Sequence, residues 1–485
     1  MYGAVRLEQL GIPGVLSIAR GFEDDANTAA DVNGMPVLRM VVVPGYVWGR
    51  QSREAKKSLA EASYKELVDG LLRPLSVEEM KPDQKRASAA PIEVVSESRE
   101  TLLEDFNELF LKNRWGDGLP LVPPTPDRLR WMLSGTSRRT DEVIGKVAPG
   151  KGLATIEKIA INAVMAGARP EYLPVIVAAM EGLTDEDFDL LHPQASTGNF
   201  TLAVIVSGPI AKEIGMNSGV GYLGHGWRSN NTIGRALRLC LINLGHVWPG
   251  INDMASVGRP SPHTFYTFAE NSDLSPWPPY HTDRGFSEGE SCVAVSTVGG
   301  YGGFGIQHLT GPSAKEILQD LVRGIGENRR RLFSLFRRGT ANPMAHWSKH
   351  IITLYPEAAA QLSEMGFTRE RLADYIYERT SVPFEEFTPD ETRSLRDRIE
   401  GTIEGHMLYA DMIPPDRLSV FQEALRPGGK IPVLITPKDI HVVVAGGGGG
   451  VPGNVVWFSY IKAVYRWTSH QVRAIRGAAL TRAGR

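Results

Sequence analysis

The first 75 residues hold too few secondary-structure elements to close a core, and that shortage constrains every reading of the chain. Residues 4–10 have the spacing of a helix end, closed by Gly11 with Pro13 beyond it. Residues 15–19 form a short apolar run suited to a buried strand. Residues 37–44 form a second, richer in β-branched side chains and ended by Pro44-Gly45. Residues 52–72 are strongly helical, with apolar positions at Ala60, Tyr64, Leu67 and Leu71 and with Pro74 just past the end. A helix end, two strands and a helix make half of an open α/β sheet, and such a half leaves an unpaired edge and an apolar face. The expectation is that the chain opens partway through a folding unit. A truncated gene or a misplaced start codon would give the same pattern.

Residues 79–100 are polar, rich in Ser and Ala, and read as a linker between a half-domain over 1–78 and a large domain over 101–485, long enough for two subdomains. In the large block helical stretches at 102–112, 155–168, 170–183, 231–244, 313–335 and 356–364 alternate with strand-like runs. Those runs lie at 201–207, 291–297, 350–355, 431–436 and 440–445. The fold class is α/β: a partial open-sheet half-domain followed by a large mixed domain. Lys plus Arg number 53 and Asp plus Glu 55, which leaves no electrostatic footprint for nucleic acid. No run of about 18 apolar residues and no signal-peptide pattern occurs, so a cytoplasmic chain without a membrane partner is expected. Two cysteines, Cys240 and Cys292, supply neither a disulfide framework nor a thiolate zinc site.

Polar residues concentrate in two places. Residues 194–235 bring together Ser196, Thr197, Asn199, Tyr222, His225, Arg228, Asn230, Asn231 and Arg235 around the glycine-rich run 219–226 and a helix start. Glycines admit a close ligand, a helix N-terminus attracts anions and arginines grip carboxylates, so an anionic-substrate pocket with His225 as acid or base is expected. A capped surface loop is the plain alternative. Residues 259–286, rich in Pro and aromatics, read as a long irregular wall that offers Glu270, Asn271 and His281. Glu270 and His281 are candidates for an acid–base pair, or for metal ligands together with His225 or His263, although no metal-binding spacing is present. His192, His246, His308 and His470 read as structural or exposed. Gly446, Gly447 and Gly448, after the strand at 440–445, suit a backbone nest for an anion. The run lacks the Lys-Ser or Lys-Thr of a phosphate loop, and no dinucleotide fingerprint occurs, so no cofactor is assigned.

The segments 7–13, 34–39 and 41–44 resemble the C-terminal part of the UGSC-like family, named for a (seleno)cysteine-Gly-Ser-Cys motif, and are more distantly similar to selenoprotein B of the glycine and betaine reductases. Residues 115–124, 157–167 and 442–450 resemble the second region of longer members. The resemblance implies thiol or selenol redox chemistry on small molecules. No Cys-Gly-Ser-Cys occurs here, and Ala168 stands where the family often has cysteine. The expected protein is therefore the large subunit of a hetero-oligomeric, thiol-dependent reductase or C–heteroatom lyase. A small subunit would carry the thiol and a small anionic or amide metabolite would be the substrate. Alternatives are a non-catalytic assembly subunit and a stand-alone hydrolase or lyase using His and Glu or a metal.

Overall fold

The computed structural model describes residues 10–23, 37–43, 52–77, 92–299, 301–304, 313–336, 348–405, 415–431, 436–447, 455–461 and 470–478, with isolated positions elsewhere in the first 79. In the N-terminal block β1 (Leu16–Ala19) pairs in parallel with β2 (Met40–Val43), Leu16 opposite Met40 and Ala19 opposite Val43. Helix α1 (Arg53–Leu72) begins at Ser52, whose side chain accepts the Ala55 N–H, and packs on β2. Its buried face is centred on Ser63, with Leu59 and Leu67 half-buried, while Tyr64, Leu71 and Leu72 are exposed. The apolar stripe expected through Ala60, Tyr64 and Leu71 thus faces outward. Arg39 ties sheet to helix: it donates to the carbonyls of Gly70, Arg73 and Pro74 at the C-terminus of α1 and pairs with Glu79 at 2.9 Å.

The large block is built on two four-stranded sheets. Helices α2 (Leu102–Lys112) and α3 (Pro126–Leu133) come first; Thr125 caps α3, and Pro126 opens it. A hairpin of β3 (Val143–Val147) and β4 (Gly152–Thr155) leads to α4 (Ile156–Met165) and α5 (Leu173–Leu183). Then follow β5 (Thr201–Ser207), α6 (Arg228–Asn243), β6 (Tyr266–Ala269), β7 (Cys292–Val298) and β8 (Tyr301–Phe304). The second half continues with α7 (Ala314–Phe336), β9 (Ser348–Leu354), α8 (Pro356–Glu364) and α9 (Arg369–Thr380). A small satellite joins β10 (Val382–Pro383) to β11 (Lys430–Ile431) under α10 (Pro389–Ile403) and α11 (Pro415–Ala424). Strands β12 (Ile440–Val444), β13 (Val455–Ile461) and β14 (His470–Ala474) close the chain's described part.

The sheet orders are β14-β7-β5-β6 and β12-β9-β13-β8, and they share one connectivity. In the first, β5 runs parallel to β6 and antiparallel to β7; in the second, β9 runs parallel to β12 and antiparallel to β13. The fourth strand of each is exchanged. β8 follows β7 in sequence but pairs with β13, and β14 follows β13 but pairs with β7. Strand periodicity sorts side chains into layers. Leu202, Val204 and Val206 of β5 pack with α4, α5 and α6, whereas Ala203 and Ile205 face the other sheet. Ile352 and Leu354 of β9 and Val442 and Val444 of β12 pack with α7, α8 and α9, whereas Ile351 and Val443 face back. The result is a helix–sheet–sheet–helix sandwich. Among the described residues no helix is long and apolar enough to cross a membrane.

Two expectations need correction. The stretch 259–286 is not irregular throughout, because it contains β6 and a short 3₁₀ turn, Tyr280–Arg284. The run at 431–436 yields only the two-residue β11, and 432–435 lie outside the described residues. Tight packing of α6 on the loop before β6 generates a test. A Cβ on Gly234 would sit 1.7 Å from the Thr264 carbonyl oxygen. Gly234→Ala is therefore expected to lower stability by about 1–3 kcal/mol or more, read as a lower urea midpoint, whereas the helix propensity of Ala alone would raise it.

Candidate functional site

Backbone topology keeps members of the two polar concentrations apart. Ser196, Thr197 and Asn199 lie before the first residue of β5, whereas Glu270 and Asn271 follow the last residue of β6, which runs parallel to it. The length of β5 puts about 20 Å between those ends. Around Ser196–Asn199 the organiser is Arg259, which donates to the carbonyls of Gln194 and Phe200 at 2.7 and 3.1 Å and pairs with Asp253 at 2.5 Å. The Ser196 hydroxyl accepts the Gly198 N–H, the Thr197 carbonyl accepts the Ser256 N–H, and Asn199 Oδ1 is buried without a partner.

The glycine-rich loop is a braced structural element. Asn230 accepts the Asn217 N–H through Oδ1 and donates to the carbonyls of Asn217 and Tyr222. Asn231 donates to Trp227 O, and Arg228 donates twice to Gly167 O, at 3.2 and 2.9 Å. Arg235 grips the buried Asp117 through both carboxylate oxygens, at 2.7 and 2.9 Å. Of the two arginines expected to hold an anion, Arg235 is thus paired with a buried carboxylate, whereas Arg228 is exposed and engages a neutral carbonyl. His225 is exposed. The Tyr222 hydroxyl reaches Thr353 Oγ1 at 2.9 Å, and its ring covers Gly446, where a Cβ would sit 3.0 Å from Cε1. Gly446, at φ 83°, donates to Ser218 O, Gly447 (φ 60°) lies beside Tyr355, and Gly448 lies outside the described residues.

From the end of β6 the chain crosses to the second half. Asn271 N–H donates to Val444 O at 2.7 Å, and Trp277 Nε1 donates to Phe367 O at 3.0 Å. Glu270, buried, accepts the Tyr280 N–H on its carboxylate at 2.8 and 2.9 Å and pairs with Arg369 at 3.0 Å, the first residue of α9. Burial pushes its carboxyl up to about 7, against the pull of Arg369 and of the Tyr280 N–H. His281 is fully buried back against the first sheet, with Nδ1 2.8 Å from Ser207 Oγ and Nε2 3.0 Å from Ser287 O. A carbonyl only accepts, so Nε2 carries the proton and Nδ1 accepts from the Ser207 hydroxyl. Glu270 and His281 therefore point to opposite sides of the crossing segment and anchor it, one to each half.

Between those anchors stands a cluster that sequence reading missed. The Tyr280 hydroxyl lies 2.8 Å from His441 Nδ1 and 2.8 Å from His470 Nε2, and the two imidazoles stack with centroids 4.0 Å apart. His470 Nδ1 meets Ser296 Oγ at 2.5 Å, and the Arg284 guanidinium hydrogen-bonds His441 Nδ1 while lying 5.4 Å over the Tyr280 ring. Ser296, Tyr280 and His441 are buried, and His470 and Arg284 are half-buried. All sit in the layer between the sheets, otherwise lined by Ala203, Phe268, Ala294, Ile351 and Val443. Burial pushes the Tyr280 phenol up to about 12, with Arg284 opposing. The one available signal was a histidine in an otherwise aliphatic strand, Ile-His-Val-Val-Val. Among the described residues no group of three His, Cys, Asp or Glu side chains could hold a metal.

The Glu270 anchor has a pH signature. Its carboxyl binds a proton more tightly in the folded than in the unfolded state, so its contribution is fully present below pH about 4.5 and lost as pH rises towards 7. Wild-type stability is expected to fall over that window by up to about 1.4 kcal/mol per pH unit. Glu270→Gln should flatten that segment of the urea-midpoint profile.

No curated protein and no solved structure matches the chain. Residues 115–124, 157–167 and 442–450, which carried the resemblance into the large block, fall outside the family match. That match covers residues 1–73, and it is to the UGSC family: the N-terminal block, β1, β2 and α1, is UGSC-like.

Proposed function

We propose that the chain is the larger, substrate-handling component of a thiol-dependent enzyme of the UGSC type. The reaction would be a reduction or a C–heteroatom cleavage on a small anionic or amide metabolite, with the reactive thiol on a separate small polypeptide. One observation carries the proposal: neither cysteine of this chain is fit to be the nucleophile. Cys240 is wholly buried in α6, and burial pushes its thiol far above the ordinary value. Cys292 opens β7, also buried, and burial together with the negative charge of Glu290 pushes it up to about 12. A reactive thiol needs the opposite surroundings, a cation or a helix N-terminus that favours the thiolate.

Two features support an external thiol. Among the described residues β1 and β2 pair only with each other, and a two-stranded sheet under one helix is a weak unit on its own. Tyr64, Leu71 and Leu72 of α1 are exposed beside it. Strand addition to that sheet would bring the partner's thiol to this block. The large block would contribute proton handling, for which the Tyr280 cluster has the geometry.

Iodoacetamide at neutral pH tests the central point. Native protein is expected to leave Cys240 and Cys292 unmodified by mass spectrometry, and to copurify with a small polypeptide bearing a Cys-Gly-Ser-Cys sequence. Rapid alkylation of either cysteine in the folded chain would overturn the proposal. In the reconstituted complex, turnover unchanged by Tyr280→Phe would instead make this chain an assembly subunit.

A further inference from the structure

We infer that Arg238 anchors a binding site for a small carboxylate on the helix side of the first sheet. The inference goes beyond the function proposed above and does not depend on it. The site and the Tyr280 cluster lie on opposite faces of that sheet, because Phe265 beside Arg238 packs in the helix layer and Tyr280 packs between the sheets.

Arg238 projects from α6 and is only 6 % exposed. Its Nε donates to Pro262 O at 2.8 Å, and its guanidinium carbon lies 4.2 Å over the Phe265 ring. Nη2 is enclosed and has no hydrogen-bond partner among the described residues. Nη1 has none either, yet it is not an enclosed atom, so solvent reaches the guanidinium at that end. A buried guanidinium left so is costly, and the two neighbouring arginines avoid the cost. Arg235 spends its N–H groups on Asp117 and on the carbonyls of Leu119 and Pro120, and Arg259 spends its own on Asp253 and on the carbonyls of Gln194 and Phe200.

The charged groups that act on Arg238 are Arg259, Asp253 and Asp117. Both aspartates are already committed. Asp117 pairs with Arg235 at 2.7 Å and has His263 Nδ1 3.8 Å away, and Asp253 pairs with Arg259. The guanidinium groups of Arg235, Arg238 and Arg259 thus meet the carboxylates of Asp117 and Asp253, an excess of one positive charge. Burial, with Arg259 adding to it, pushes the Arg238 guanidinium down to about 10, whereas Glu142 and Glu181 push the paired Arg138 up.

That arithmetic selects the ligand. A singly charged anion neutralises the cluster, and a phosphate dianion overshoots it. With Nε engaged, Nη1 and Nη2 present a fork that matches the two oxygens of one carboxylate. The loop against the guanidinium is held in a costly shape. Ser261, at φ 47°, and Phe265, at φ 55°, are left-handed without being glycine, and the Ser261 hydroxyl ties them by donating to Phe265 O at 2.6 Å. Gly234 lets α6 approach the same loop at Thr264. The strain sets Pro262 O and the Phe265 ring against Arg238 and leaves the Nη end to the ligand.

Equilibrium dialysis of radiolabelled acetate against the full chain, in sodium chloride at constant ionic strength, tests the inference. Saturable binding of about one acetate per chain is expected, and acetamide in about tenfold excess should not compete. Arg238→Met keeps the apolar stem and should lower the affinity at least about tenfold. Arg238→Lys keeps the charge without the fork and should recover only part of it. Acetate should also slow amide hydrogen exchange across residues 259–265 in the wild type, but not in Arg238→Met. The inference fails if the wild type binds no acetate saturably, if acetamide competes, or if Arg238→Met binds as the wild type does. Should Arg238→Met not fold, undiminished affinity in Arg238→Lys, or acetate protection that spares residues 259–265 of the wild type, overturns it.

Discussion

Reciprocal exchange of edge strands holds the large block together. β8 follows β7 directly yet completes the sheet of the second half, and β14, at the far end of the chain, completes that of the first. Each exchanged strand supplies a backbone ladder that the host sheet would otherwise leave as an open edge. The exchange also makes the two inner faces meet, since β7 and β13 each carry a strand from the opposite half. The chain passes from β7 straight into β8 of the other sheet, so the polar cluster lies between two sheets tied by that link and closed at these edges by ladders.

That constraint explains how so polar a group persists in an apolar layer. Unsatisfied hydroxyls and imidazoles there would cost several kcal/mol. Ser296 is placed on β7, His470 on the β14 residue opposite it and His441 on β12, so strand register sets their spacing. Tyr280 comes from neither sheet. It is delivered by the crossing segment, which Glu270 and Arg369 pin to the second half and His281 and Ser207 pin to the first. Glu270 and His281, candidates for chemistry by residue type, also hold the tyrosine in register against the two stacked rings.

Local signals made much of the fold legible. The run Thr-Leu-Ala-Val-Ile-Val-Ser is buried at every position of β5, and Thr125 followed by Pro126 starts α3 as its chemistry dictates. Elements that escaped the sequence owe their state to distant partners. β8 contains two glycines and has poor strand propensity, yet it forms because β13 templates it. β6 is four residues long and flanked by prolines and aromatics, and β5 holds it in line. The cluster was hidden for the same reason: Ser296 and His470 are 174 residues apart, and only the exchange makes them neighbours. Arg228 and Arg235 likewise have partners that the sequence did not reveal. Their sequence context suits an anion, but Gly167 and Asp117, far along the chain, already occupy them.

The exchange also orders events at the ribosome. The edge of β7 must wait for β14, which is synthesised about 170 residues later, and at ordinary elongation speeds that interval is on the order of ten seconds or more. Through that interval the nascent first half presents an uncovered strand flank and an apolar inner face, the very surfaces that invite pairing with a neighbouring nascent copy. Two chains emerging side by side on one polysome could satisfy the same ladders by giving β14 to each other, so an interlocked dimer is the characteristic misassembly of this architecture.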